Sequence, residues 1–208
     1  MLIDPPMKKP VIAVDIDDVL VDTAAKLLGD YNRKYGTSLT KHHYYKKDLE
    51  ALGVTDYDIA AKRLAQYHMS PDFLETHPIP DALAAIKRLS PHFEFIGVTS
   101  RPETIAEPTR AWAKQHFGDA ISKIIFTSFV MAADKDQTPL TKAVACKEIG
   151  AVFMIEDHLG HALPVSELGV KVFLVDQLWN QHDALPENVI RTSGWSEVEK
   201  HLLDHLAS

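Results

Sequence analysis

Cysteine is almost absent from this chain: Cys146 stands alone among 208 residues. A single thiol excludes a disulfide framework within the chain and fits a reducing compartment, which points to the cytoplasm. Cys146 sits in a helical pattern and reads as a small core residue, not a nucleophile. No apolar run approaches the roughly 20 residues that span a bilayer, so no membrane partner is expected. Met1 to Lys9 contains no apolar h-region, so no signal peptide is expected. Positive charge is in deficit: 22 Lys and Arg face 29 Asp and Glu, a formal charge of −7. That balance argues against a nucleic-acid polymer, whose phosphates call for a basic face, but leaves room for one small phosphate ester held by a local cluster. No glycine-rich phosphate or dinucleotide loop, no His-Glu-x-x-His and no internal repeat occurs.

What is present is an ordinary apolar content of 46%, arranged with two periods. Val11-Ile12-Ala13-Val14, after Pro10, reads as a buried strand. From Ala24 through Leu27, Leu28, Tyr31 and Tyr35 the spacing is helical, and Gly36 supplies a stop. Between Thr37 and Pro80 helical signals dominate, over Tyr44–Leu52 and Asp56–His68, with breaks at Ser70-Pro71 and around Pro78 and Pro80. Residues 22–80 are therefore read as a small helical insert, in which Tyr44, Tyr45, Tyr57, Tyr67 and Phe73 serve either packing or a ligand. Residues 1–21 and 81–208 make the α/β core. Its strands are expected at Phe93–Val98, Lys123–Phe126, Ala151–Ile155 and Val170–Val175. The helices between them are expected at Ala82–Leu89, from Pro108 to Gly118, from an N-cap at Thr138 to Gly150, and after a capping box at Ser196–Glu199. Five apolar strands alternating with helices imply a Rossmann-like parallel sheet covered on both faces.

The chemistry collects at strand ends. The first strand runs into Asp15, Asp17 and Asp18; the second ends in Thr99, Ser100 and Arg101; the fourth ends in Glu156 and Asp157. Lys142 lies in the first turn of the helix leading to that fourth strand. In a parallel sheet these ends share one edge, where open α/β sheets place ligands. Paired carboxylates there either hold a cation such as Mg²⁺, with one free to act as nucleophile, or form an acidic helix-capping turn. Each group has a task in phosphoryl transfer. A carboxylate attacks phosphorus, cations and hydroxyls neutralise the equatorial oxygens, and a second acid protonates the leaving group.

The order Asp15-x-Asp17, Thr99, Lys142, Glu156-Asp157 resembles the haloacid dehalogenase (HAD) superfamily of aspartate-nucleophile phosphohydrolases. The residues Asp-Ile-Asp-Asp-Val-Leu and Val-Thr-Ser-Arg-Pro look most like its deoxyribonucleotidase, or cytosolic type C 5′-nucleotidase, branch. Asp18 stands where the family motif usually carries Gly. The resemblance implies that Asp15 is the nucleophile and Asp17 the general acid and base, its backbone carbonyl also binding metal. It implies that Thr99, with the N–H groups of Ser100 and Arg101, and Lys142 bind phosphate. It further implies that Asp15, Asp17 and Asp157 hold Mg²⁺ with Glu156 in support, and that residues 22–80 form a cap. The implied reaction is hydrolysis of a small phosphorylated metabolite such as a nucleoside 5′-monophosphate, or alternatively a phosphosugar.

Other readings stand beside these. Lys135 or Lys147 could replace Lys142, Thr99 and Ser100 could cap a turn, and Arg101 could be structural. Asp18 suits a helix cap or support of the metal. His158 and His161 beside Asp157 suggest zinc, although the Cys and His sets that zinc favours do not otherwise occur. A receiver-like phospho-acceptor domain shares the Asp, Thr and Lys but not the helical insert, and an inactive HAD-like binding protein would lack one of the motifs. Oligomeric state is not legible in the sequence.

Overall fold

The computed structural model describes residues 8–46, 59, 66–67, 70–127, 140–181 and 184–207. The parallel strands are β1 (Val11–Val14), β2 (Glu94–Thr99), β3 (Ile121–Phe126), β4 (Ala151–Glu156), β5 (Lys171–Val175) and β6 (Val189–Thr192). They form one six-stranded sheet in the order β3-β2-β1-β4-β5-β6. The expected five-stranded sheet thus gains an edge strand. Val189-Ile190-Arg191-Thr192 escapes a search for apolar runs because an edge strand pairs on one side only and carries polar side chains.

Alternation along the strands sends side chains to two cores. Ile12, Val14, Phe95, Phe153 and Phe173 pack on one face with Ile86, Leu89, Trp195, Val198 and Leu202. Val11, Ala13, Ile96, Val98, Met154, Val172 and Leu174 pack on the other with Ala145, Cys146, Ala162 and Val165. The covering helices are α4 (Pro80–Leu89), α5 (Ala106–Phe117) and α8 (Trp195–Ala207) on the first face, and α6 (Lys142–Ile149) and α7 (Leu159–Ser166) on the second. Cys146 is fully buried.

Between β1 and α4 lie α1 (Thr23–Tyr35), α2 (Lys41–Lys46) and α3 (Pro71–Leu74). The Asp22 side chain accepts from Ala25 N–H to start α1, and Gly36, at φ 65°, ends it. Most of the helix expected over Asp56–His68 and the end of that over Tyr44–Leu52 lie outside the described residues, as do Tyr57 and Lys135.

Three helix starts differ from expectation. The N-cap of α6 is Thr141, whose hydroxyl accepts from Val144 N–H at 3.2 Å; Thr138 and Pro139 lie outside the described residues. Helix α5 begins two residues before Pro108, which fits because the N–H groups of a first turn need no intrahelical partner. At α8, Glu197 accepts from the backbone and hydroxyl of Ser193, so the helix opens before Ser196.

Candidate active site

Strand β1 lies at the sheet's switch point, with β2 on one side and β4 on the other, so three chain segments converge at its carboxyl end. Asp15 N–H still donates to Ile155 O at 3.0 Å, holding the chain against β4 one residue beyond the strand. The backbone then turns: Leu20 and Val21 both donate to Ile16 O, and Asp18 N–H donates to Val21 O. Asp18 adopts φ 57°, a left-handed conformation that short polar residues tolerate better than branched ones. Its carboxylate accepts from Ala24 N–H at 3.0 Å in the first turn of α1. Asp18 thus does what a glycine there could not. Burial, opposed by that amide and reinforced by Asp17, pushes its carboxyl up to about 7.

Asp15, Glu156 and Asp157 are buried with one carboxylate oxygen of each within 4.8 Å of the others. Lys142 is the ammonium among them: its Nζ lies 2.8 Å from Asp15 Oδ1 and 2.9 Å from Glu156 Oε2, with the lysine side chain 2% exposed. Lys147 is exposed on the opposite side of α6. The two acids that share Lys142 diverge. Burial works against the charge on Glu156, but Lys142 and His161, together with donation from Lys142 and His158 N–H, hold it below the usual range. Asp15 accepts one backbone N–H, from Ile16 at 2.8 Å; burial first, then Glu156 and Asp17, raise it against the pull of Lys142. Asp157 is raised well above the usual range by burial, Glu156, Asp15 and Asp18. Lys142 is held in its charged form by both partners although burial opposes it.

One ammonium against three buried carboxylates leaves negative charge uncompensated, and the donors are all oxygens. That combination fits a hard divalent cation. Both Glu156 oxygens already accept protein donors: Lys142 on Oε2, Asp157 and His158 N–H on Oε1. Asp15 and Asp157 are therefore the better ligands and Glu156 the support. Neither His158 nor His161 joins the group among the described residues; burial, chiefly, pulls His161 down to about 4.

Asp17 faces elsewhere. Its Oδ1 accepts from Thr23 Oγ1 at 2.5 Å and from Arg101 Nη2 at 2.8 Å, and its Oδ2 accepts from Arg101 Nε at 2.9 Å. The guanidinium that the sequence offered to phosphate is thus committed to a carboxylate. Arg101 N–H donates to Thr99 Oγ1 at 3.1 Å, which leaves the Thr99 hydroxyl proton for another acceptor. Ser100 Oγ lies 3.2 Å from Thr127 Oγ1, just beyond the end of β3.

Several contributors were not singled out in the sequence. After β5 the chain turns through Leu178–Asn180. There Trp179 Nε1 donates to Asp157 Oδ2 at 2.7 Å and Asn180 Nδ2 donates to Asp157 O at 2.7 Å. The signal available was a polar cluster, Asp176-Gln177-Leu178-Trp179-Asn180, at the same sheet edge. Thr23 and Thr127 carried no such signal.

A family model described as "5' nucleotidase, deoxy (Pyrimidine), cytosolic type C protein" matches residues 9–206. A protein named as a nucleotidase from Clostridium acetobutylicum is 24% identical over 190 residues, 90% of each chain. A haloacid dehalogenase-like hydrolase from Streptococcus pneumoniae has the same fold, with a TM-score of 0.61 at 14% identity over 95% of this chain and 98% of that one. A HAD hydrolase from Bacillus subtilis, described as bound to magnesium, aligns with a TM-score of 0.60 at 15% identity over 94% of this chain and 99% of that one.

Proposed function

From the premise that this chain belongs to the cytosolic type C 5′-nucleotidase family of HAD phosphoric monoester hydrolases, we propose that it is a Mg²⁺-dependent phosphatase working through an aspartyl phosphate, with a nucleoside 5′-monophosphate as substrate. The observation that carries the reading is the pairing of Asp15 and Glu156 on one buried ammonium, Lys142, beside Asp157.

In this reading Asp15 attacks phosphorus. Lys142 restrains Asp15 and offsets charge on the phosphoryl oxygens. The Thr99 hydroxyl and the Ser100 N–H donate to those oxygens, while the Arg101 N–H stays on Thr99 Oγ1 and orients that hydroxyl. Mg²⁺, held by Asp15, Asp157 and the carbonyl of Asp17 with Glu156 in support, would neutralise phosphate charge. Asp17 gives a proton to the departing alkoxide and then takes one from the attacking water. Residues 22–80 act as the cap over this edge.

The test is phosphate release from a panel of nucleotides, phosphosugars and other monoesters, with Mg²⁺ and with EDTA. Turnover of at least one 5′-mononucleotide, lost with EDTA and lost at least ~10³-fold in Asp15→Asn, is expected. Full activity in Asp15→Asn would remove the nucleophile from the scheme, and preference for a phosphosugar would replace the substrate.

A further inference from the structure

The Arg101 side chain is 6% exposed, and each guanidinium nitrogen has an assigned place. Nε and Nη2 form the fork on Asp17, and Nη1 donates to Thr109 Oγ1 at 3.4 Å. The guanidinium carbon lies 4.6 Å from the Phe73 ring centre and 5.8 Å from that of Trp112. Trp112 belongs to α5, and its Nε1 donates to Thr76 O at 2.6 Å; Phe73 is 4% exposed in α3. A guanidinium clamped between two aromatic faces and a carboxylate cannot swing to a phosphoryl oxygen without breaking all of these contacts. Asp17, by contrast, keeps 29% of its side chain exposed while its direction is set by the fork.

We propose that Arg101 is a positioning residue for Asp17, aiming its carboxylate by a bidentate ion pair, and that Phe73 secures the guanidinium so that proton transfer depends on the seating of α3. The inference rests on the reading of Asp17 as general acid. As the Asp15–phosphorus bond forms and the ester P–O bond breaks, the Asp17 proton passes to the leaving alkoxide. When water attacks phosphorus and the Asp15–phosphate bond breaks, Asp17 recovers a proton from that water. In the proton-carrying state one carboxyl oxygen stays on the fork and the other turns to the leaving group. Lysine in place of Arg101 keeps the charge and the apolar stem but cannot form the fork.

The experiment compares wild type, Arg101→Lys, Arg101→Ala, Phe73→Leu and Asp17→Asn with Mg²⁺ on two substrates. One is 4-nitrophenyl phosphate, whose leaving group needs little proton assistance; the other is an alkyl phosphomonoester that the wild type hydrolyses. In Arg101→Lys, kcat on the alkyl ester is expected to fall about 10²-fold or more, against less than about 10-fold on the aryl ester. KM and the inhibition constant of inorganic phosphate should stay within about threefold. Phe73→Leu should show the same selectivity at smaller size, and methylguanidinium should restore part of the alkyl-ester turnover of Arg101→Ala. Equal losses on both esters, with a phosphate inhibition constant raised about tenfold, would make Arg101 a phosphate ligand and overturn the proposal. So would a change below about threefold on the alkyl ester. If Asp17→Asn itself shows no leaving-group dependence, the general-acid assignment fails and takes this inference with it. If only the Arg101 variants lack that dependence, the positioning role fails alone.

Discussion

Replacing Lys142 by Met tests the electrostatics of the site without any substrate. Met matches the stem of lysine but removes the charge that faces Asp15 Oδ1 and Glu156 Oε2 at 2.8 and 2.9 Å. Two buried carboxylates then face each other beside Asp157 with no ammonium. Breaking a buried pair in this way costs about 3–5 kcal/mol. An independent route gives a similar figure. The cheapest relief is for one carboxyl to take up a proton, which at pH 7 costs about 3.7 kcal/mol for a glutamate ordinarily near 4.3. At pH 5 the same step costs about 1 kcal/mol. The variant's deficit should therefore be about 4 kcal/mol at pH 7, or roughly 8–16 °C in Tm for a chain of this length, and should shrink toward about 1 kcal/mol at pH 5. The sign follows from proton counting. In the variant the folded state holds a proton that the unfolded chain has released, so its stability falls as pH rises above the unfolded carboxyl range. Urea denaturation of both proteins at the two pH values, in EDTA so that no divalent ion contributes, measures this. A deficit below about 1 kcal/mol at pH 7, or one that does not change with pH, would refute the charge balance drawn here.

Three further outcomes are expected. Trp179→Phe removes the indole donor on Asp157 Oδ2, and calorimetric titration should show Mg²⁺ binding about tenfold or more weaker; unchanged affinity would detach Trp179 from the metal site. Cys146, fully buried, has its thiol pushed up to about 12, by burial and then Glu156, against an ordinary value of 9.0. Between those values the unfolded chain loses the thiol proton first, so this contribution to stability declines as pH rises and Cys146→Ala should flatten the decline. In the native protein the thiol should resist a disulfide exchange reagent at pH 8 and react fully once unfolded; rapid native reaction would contradict its burial.

The patterns that carried the sequence reading are local. Val11–Val14 is uniformly apolar because a central parallel strand is buried on both faces, and the period changes at Ala24 because α1 buries one side only. Asp15, Thr99 and the Glu156-Asp157 pair could be named because parallel strands deliver their carboxyl ends to one edge, whatever separates them in the chain, and Lys142 because it opens the helix that leads into β4. The edge strand β6 was hidden because its sequence is half polar. The start of α6 was misplaced because Thr138-Pro139 and Thr141 both offer cap chemistry, and Thr141 is the residue whose hydroxyl meets an N–H.

Sequence by itself therefore determined the topology-forming pattern and the kinds of group available at the sheet edge, since both follow from periodicity and strand polarity. Only tertiary structure decided which group faces which. Lys142 serves two acids, Glu156 spends both oxygens on protein donors, Trp179 reaches Asp157, and Arg101 turns from phosphate to Asp17. Those pairings depend on the directions of individual side chains across segments far apart in the chain, and a hydrogen bond that fails by an ångström leaves no mark on the order of residues.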